Sequence, residues 1–358
     1  MSPVRIPDTQ RKDARGPLTT SDQRKPSQRR GPHHALAPAR AVRGGPSLPA
    51  QLSPVRTTSL VVRRSHPHHL AGRPLLRAVE KVTLGYLFVA ATAVVLGHEA
   101  VPHAAWLTGA YAALAGFVLA CAAAHRHWAS PALANVRALY PLACAPLLFS
   151  ASGPQSLALH GRLLDDTMLV WEQHLFGAHP NLLLGALASR PLTEALSLSY
   201  SSYYLYFVLP PAYFLAKGMH QALYRYVLAL CLAHYLCFLG FMLLPLAGPI
   251  AALAPAFTPD HLHGYLAQPL QAQLMASADP PGTCFPSSHV AGAWAAALSI
   301  RAASVPRPAK RLMIAATALI TVSVVYCRYH YVLDAAAGMA TAALAVFLTR
   351  RLTRRDSN

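Results

Sequence analysis

Charge is scarce in this sequence. Only 12% of its 358 residues are charged while 54% are hydrophobic, and its mean hydropathy is positive. A water-facing globular surface needs more charge than that, so an ordinary soluble domain is excluded and a membrane protein is indicated. Cysteine is scarce as well. Six scattered cysteines without a C-x-x-C pair exclude a disulfide scaffold. Cys121, Cys144 and Cys231 read as small apolar packing residues within spans, whereas Cys284 and Cys327 each sit beside a polar motif. A disulfide between those two requires an oxidising face of the membrane. Acidic residues are few, 13 against 31 Lys and Arg, for a net charge of +18. That excess would suggest nucleic acid if spread over a soluble domain, but 15 of the 31 basic residues fall within positions 1–80. No nucleic-acid partner is expected.

The order of the chain follows from that unevenness. Residues 1–78 are rich in Arg, Pro, Ser, Gln and His with no sustained apolar period, and bury too little surface to offset ordering entropy, so a disordered basic tail is expected. Its composition also resembles a transit peptide, and as a basic arm it would lie near anionic lipid. Eight apolar runs follow, at about 83–98, 104–124, 135–152, 193–216, 223–245, 288–304, 309–329 and 333–349. Residues 153–191 mix Leu with Arg162, Asp165, Asp166 and Glu172, which suits one or two amphipathic helices at the interface. The expected organisation is an all-α polytopic membrane bundle. It comprises N-terminal spans over 79–152, a second membrane unit over 153–350 and a tail over 351–358.

Basic residues orient the bundle, because short cytoplasmic loops retain Lys and Arg. Arg126, Arg137, Lys217, Arg225, Arg301, Arg307, Lys310, Arg311 and the Arg350–Arg355 cluster fall on the side of the N-terminal tail. Residues 98–103 and 246–287 on the other side contain neither Lys nor Arg. Both termini are therefore expected to be cytoplasmic. The fourth run carries Ser197, Ser199, Tyr200, Ser201, Ser202, Tyr203, Tyr204 and Tyr206, too many hydroxyls for a lipid-facing helix. It either lines an internal cavity or bonds to neighbouring helices.

Two stretches carry the chemistry, FPSSHV at 285–290 and CRYHYVLD at 327–334. His289 and His330 are 41 residues apart, the length of one apolar hairpin, so both reach the same, non-cytoplasmic face. Pro286, Ser287 and Ser288 start a helix whose free amides, with the Ser287 and Ser288 hydroxyls, can bind an anion. An imidazole there titrates near neutral pH and can protonate the leaving oxygen of a phosphate ester. His330 and Asp334 are spaced i, i+4 on one helical face, so the carboxylate can fix the tautomer and leave one ring nitrogen to attack. Arg328 offers a planar donor fork for phosphate oxygens. His261 and His263 read as loop polarity, because no carboxylate or thiolate cluster joins them.

These motifs resemble the type 2 phosphatidic acid phosphatase superfamily. FPSSHV is similar to its P-S-G-H motif and RYHYVLD to its terminal His-x-x-x-Asp motif, over about residues 160–349. LLPLAGPI at 243–250 followed by these two is most similar to the inositolphosphotransferase branch, typified by inositol phosphorylceramide synthase. The resemblance implies a six-helix core and phosphoryl transfer through a phosphohistidine without a metal or other cofactor. His330 would be the nucleophile, Asp334 its orienter, His289 the general acid and Ser287 a phosphate ligand. The chain lacks the superfamily's first motif, has Ile250 where relatives often carry Arg, and has Val324 where the last motif usually places its Arg. Arg162 or Arg190 is a candidate replacement cation.

The expected partners are the bilayer, a lipid with a phosphate headgroup and an alcohol or lipid acceptor. Water as acceptor makes a phosphatase and an alcohol makes a phosphotransferase, a choice set by cavity shape that sequence leaves open. A rival reading is a lipid-phosphate-binding protein of the same fold without chemistry, in keeping with the missing first motif. A transporter ranks lower, because the few intramembrane charges gather at one face.

Overall fold

A computed structural model describes residues 75–128, 130–257 and 262–355, all of which fall in one compact unit. The expected disordered tail lies almost wholly outside these residues, as does His261. The described chain is helical throughout, without a strand. Its elements are α1 (Ala78–Leu96), α2 (Ala104–Trp128), α3 (Pro131–Ser156), α4 (Asp165–Phe176), α5 (Pro180–Gly185) and α6 (Arg190–Ser201). After a 3₁₀ segment (Ser202–Phe207) come α7 (Leu209–Ala216), α8 (His220–Leu243), α9 (Pro249–Ala252), α10 (Ala267–Ala278), α11 (Ser288–Ala302), α12 (Arg307–Tyr326) and α13 (Val332–Arg355).

Six helices, α1, α2, α3, α8, α12 and α13, are long and apolar enough to cross a membrane. The protein is an integral, multi-pass membrane helical bundle. Two of the eight expected runs are not single spanning helices, and each departure has a cause. In the fourth run Pro210 has no N–H, and its ring opposes the carbonyl four residues earlier, so the helix breaks into α6, the 3₁₀ turn and α7. The carbonyl released at Tyr206 accepts a hydrogen bond from Tyr226 Oη of α8 at 2.7 Å. Breaks of this kind survive in a bilayer only where neighbouring helices satisfy the freed backbone groups. The sixth run contracts to the 15 residues of α11, about 22 Å, short of the ~30 Å hydrocarbon core. Its start is recessed, because Ser287 caps it inside the bundle by accepting from the Val290 amide at 3.3 Å. The described residues of the 246–287 connection include two helices, α9 and α10.

The centre of the bundle is α8, buried along most of its length from Leu223 to Met242. It packs against α1, α3, α11 and α13. Lipid tails are as apolar as these side chains, so close van der Waals fit rather than hydrophobic transfer selects the arrangement. Small residues permit that fit. Ala291, Gly292, Ala293, Ala295 and Ala296 make α11 a narrow helix buried between α8 and α13. At Gly338 of α13 a Cβ would stand 2.7 Å from the Ser287 carbonyl oxygen, so α13 can approach the start of α11 only with glycine there.

A buried ion pair joins α1 to α3. Arg137 donates Nε to Glu80 Oε1 and Nη2 to Glu80 Oε2 (2.6 Å) and to the Leu75 carbonyl (2.5 Å). Arg137, expected in a loop, lies inside α3 with 4% of its surface exposed, while Glu80 has none. Removing one partner from such a pair leaves an uncompensated charge, which costs far more than the intact pair contributes. Glu80→Gln is therefore expected to destabilise the protein by about 3–5 kcal/mol, read as a lowered thermal midpoint in detergent. Glu80→Gln combined with Arg137→Met should recover most of that loss.

Candidate active site

The two polar motifs meet at one end of the bundle, where α11 begins and the α12–α13 turn closes. The ring centroids of His289 and His330 are 6.0 Å apart, and the two histidines are 7% and 5% exposed. The junction is built around Asp334, in the first turn of α13. Its Oδ2 accepts from the Tyr331 amide at 2.9 Å and from Cys284 Sγ at 2.8 Å, and its backbone carbonyl accepts from the Ser287 amide at 3.1 Å. His330 Nδ1 lies 3.5 Å from Asp334 Oδ2 and 3.4 Å from Cys284 Sγ. A proton on Nδ1 thus faces both a carboxylate and a sulfur. Asp334 Oδ1 is buried without a partner among the described residues.

Cys284 thereby joins a site in which its sequence position suggested only a possible disulfide. Cys284 and Cys327 are both free thiols, and Cys327 Sγ lies 3.9 Å from Ser197 Oγ instead. Among the described residues, Cys284, His330 and Asp334 form a group whose ligand-type atoms all lie within 4.8 Å of one another.

The α12–α13 turn holds His330 by its backbone. Beyond Cys327 the chain enters the left-handed region at Arg328 (φ +67°), and the amides of Tyr329 and His330 both donate to the Val324 carbonyl, at 3.1 and 3.0 Å. Helices commonly end this way, usually with glycine at the left-handed position. An arginine there carries backbone strain of about 1–2 kcal/mol. Its guanidinium stacks over the Phe257 ring, 3.9 Å from the centroid, and its Nε has no hydrogen-bond partner among the described residues. Arg328 is therefore buried beside the motif, but its charged group contacts Phe257 rather than either histidine.

Three anchors for this turn come from α4 and α5, the amphipathic segment. Glu172 Oε1 accepts from the amides of Val332 and Leu333, at 2.6 and 3.2 Å, and so caps α13. Asp165 accepts from the amides of Ala247 and Gly248, at 2.8 and 2.9 Å, and from Tyr331 Oη at 3.0 Å. Asn181 Nδ2 donates to the carbonyls of Val325 and His330, at 2.9 and 3.0 Å. Sequence reasoning used the two carboxylates only as marks of an interfacial helix. The missed signal was their placement in an otherwise apolar stretch, where a carboxylate needs donors. Of the candidate replacement cations, Arg190 lies 5.2 Å from the Tyr265 ring and Arg162 is exposed.

The hydroxyl-rich fourth run does both things its composition allowed. Tyr206 Oη bonds Thr317 Oγ1 of α12 at 2.9 Å, a helix-to-helix contact. Tyr203 and Tyr204 line a cavity of about 430 Å³ that reaches His289, Ser288 and His234 and is otherwise walled mostly by apolar residues such as Leu142, Phe149 and Leu274. The ring centroids of Tyr200 and Tyr203 each lie 4.7 Å from that of His289. His234 Nδ1 donates to the Leu230 carbonyl at 2.7 Å, so its Nε2 is the acceptor for Tyr203 Oη, also at 2.7 Å. Gly292 makes room for that pair, since a Cβ there would stand 2.5 Å from Tyr203 Oη.

A family model described as the PAP2 superfamily matches residues 166–348, from α4 to near the end of α13 and including both histidine motifs. No curated protein and no solved structure matches the chain.

Two expectations concern the frame of the site. Glu194 of α6 accepts from the amides of Ala267 (2.6 Å), Tyr265 (2.8 Å), Leu266 (2.9 Å) and Gln268 (3.3 Å) and so caps α10. The Ala267 bond first, with the other three, holds its carboxyl down at about 2. A depressed carboxylate contributes stability that is present above its ordinary pKa and is lost as pH falls through the folded value. The protection of α10 amides against hydrogen exchange, taken relative to their intrinsic rates, should therefore fall between about pH 4 and 2, and Glu194→Gln should show reduced protection already at neutral pH. At the strained turn, Arg328→Gly should be more stable than Arg328→Ala by about 1 kcal/mol, measured by thermal unfolding in detergent.

Proposed function

The chain belongs to the PAP2 superfamily, and from that premise we propose that it cleaves or transfers the phosphate-containing headgroup of a membrane lipid through a phosphohistidine at His330. Membership supports a lipid phosphatase or phosphotransferase in general terms. The observation that carries the finer reading is the 6.0 Å approach of the His289 and His330 rings, with Asp334 and Cys284 on the Nδ1 side of His330.

With Nδ1 protonated toward Asp334, the lone pair at Nε2 is the one available to attack phosphorus. As the P–N bond forms, the P–O bond to the lipid alcohol breaks and His289, entering as imidazolium, gives its proton to the leaving oxygen. Neutral His289 then takes a proton from the acceptor hydroxyl. The acceptor oxygen attacks phosphorus, the P–N bond breaks and His330 is restored. Phosphate oxygens meet the N-terminus of α11, where the Ser287 and Ser288 hydroxyls can donate. Ser287 Oγ accepts from the Val290 amide and so keeps its own proton for the ligand. The 3.5 Å separation of His330 and Asp334 suits a resting site whose contacts tighten on binding. Arg328, fully committed neither to a carboxylate nor to a hydrogen bond at Nε, is the nearest motif cation for phosphate charge.

Transfer to a lipid alcohol, including the inositolphosphotransferase reading of the LLPLAGPI, FPSSHV and CRYHYVLD run, is favoured by the apolar cavity that ends at His289. Such walls exclude competing water and seat an acceptor chain. Basic residues at the opposite end support an active site on the non-cytoplasmic face, with both termini cytoplasmic.

His330→Ala is expected to abolish turnover and phosphohistidine formation, and His289→Ala to lower turnover by about 10²–10⁴-fold, with both proteins eluting as wild type. The assay is release of labelled headgroup from lipid phosphates and inositol phospholipids, with and without an alcohol acceptor. Alkaline quench traps the acid-labile phosphohistidine. A wild-type protein that binds these lipids yet traps no label would instead be a non-catalytic binder.

A further inference from the structure

Cys284 has no part in the chemistry just described, yet its sulfur touches both the imidazole and the carboxylate on which that chemistry turns. We propose that Cys284, His330 and Asp334 form a binding site for one thiophilic divalent cation of the Zn²⁺ type, and that its occupancy blocks phosphoryl transfer. The second half of this inference rests on His330 being the nucleophile; the first half does not.

The geometry is close to that of a zinc site before any movement. Sγ of Cys284 lies 2.8 Å from Asp334 Oδ2 and 3.4 Å from His330 Nδ1, and Nδ1 lies 3.5 Å from Oδ2. Zinc bonds of about 2.0–2.3 Å in a tetrahedron place ligand atoms roughly 3.3–3.7 Å apart. Two of the three edges already match. The third needs the thiolate and carboxylate to separate by less than about 1 Å, as they would around a cation in place of their shared proton. The three side chains are 5%, 5% and 0% exposed, and they come from two chain segments clamped together by the bond from the Ser287 amide to the Asp334 carbonyl. Their support is in place too. The Tyr331 amide orients the Asp334 carboxylate at 2.9 Å, and Asn181 Nδ2 holds the His330 carbonyl at 3.0 Å. Asp334 Oδ1, buried without a partner among the described residues, leaves the carboxylate with a second oxygen that no donor satisfies. A thiolate, an imidazole and one carboxylate select a borderline-soft ion, whereas Mg²⁺ and Ca²⁺ require oxygen ligands.

The block follows from the two nitrogens of one ring. A neutral imidazole has one protonated nitrogen and one lone pair. A cation on Nδ1 takes the lone pair there, so the ring proton moves to Nε2 and the attacking lone pair is gone. The Cys284 thiol proton leaves to solvent as the sulfur–metal bond forms. One cation enters and one proton departs. Metal occupancy and phosphohistidine formation thus exclude each other without the ion touching substrate.

The test is titration of the purified full-length protein in detergent with Co²⁺, a spectroscopic stand-in for Zn²⁺. A thiolate-to-Co²⁺ charge-transfer absorption saturating at one equivalent is expected, discharged by Zn²⁺ and unaffected by Mg²⁺. Cys284→Ser should lose the band while eluting as wild type, and Cys284→Ala should behave alike. In parallel, Zn²⁺ should suppress phosphohistidine trapping. Because outer contacts of a metal site alone cost about 10–100-fold in affinity, loss of the Cys284 ligand should raise the half-inhibiting Zn²⁺ concentration at least that much. Absence of the band in wild type, or a band that survives both substitutions, overturns the site. A band with trapping insensitive to Zn²⁺ overturns the block. A band in a protein that traps no phosphate from any donor supports the site and overturns the phosphohistidine reading with its block.

Discussion

The Asp334 carboxylate is the constraint on which the histidine-bearing end of this molecule depends. It has no solvent, so each of its contacts is a protein contact. Oδ2 takes a backbone amide and a thiol proton, and the main-chain carbonyl of the same residue takes the amide that precedes α11. One residue therefore joins the start of α13 to the start of α11 and brings both histidines to one place. A buried carboxylate is expensive unless it is bonded, which makes the junction either correctly assembled or costly.

Around that junction the bundle solves two competing requirements. A membrane interior favours unbroken helices, but a site for a polar headgroup needs amides, hydroxyls and imidazoles facing inward. The break at Pro210, the short α11 and the helices α4, α5 and α10 are the compromise. Each interruption is satisfied locally, by Tyr226 at the broken span, Glu172 at α13 and Glu194 at α10. Small residues let the inner helices close up without those polar groups being forced apart, as at Gly338 against Ser287 and Gly292 against the Tyr203–His234 pair.

Much of this was legible in the residues themselves. Apolar runs marked the helices because their length is set by the bilayer, and a separation of 41 positions sufficed to put His289 and His330 at one end. Serine at 287 announced a cap and capped the helix. Less legible were the partners that come from far away in the chain. Cys284 read as half of a possible disulfide with Cys327, since nothing local says which side chains its sulfur will meet. Arg328 read as a phosphate ligand from its place two residues before His330, and nothing near it in the chain announced that its guanidinium stacks over Phe257.

The sequence alone determined the class of protein, the helical segments and the identity of both motifs, because hydropathy, proline position and capping act over a few residues. Helix packing settled that α4 and α5 hold the turn bearing His330, that a mostly apolar cavity ends at His289, and that a thiol shares the carboxylate beside His330. The reason is range: those outcomes depend on contacts between residues 46 to 166 positions apart, such as Cys284 with His330 and Asp165 with Tyr331. Local propensity carries no information about such pairs until the helices have packed.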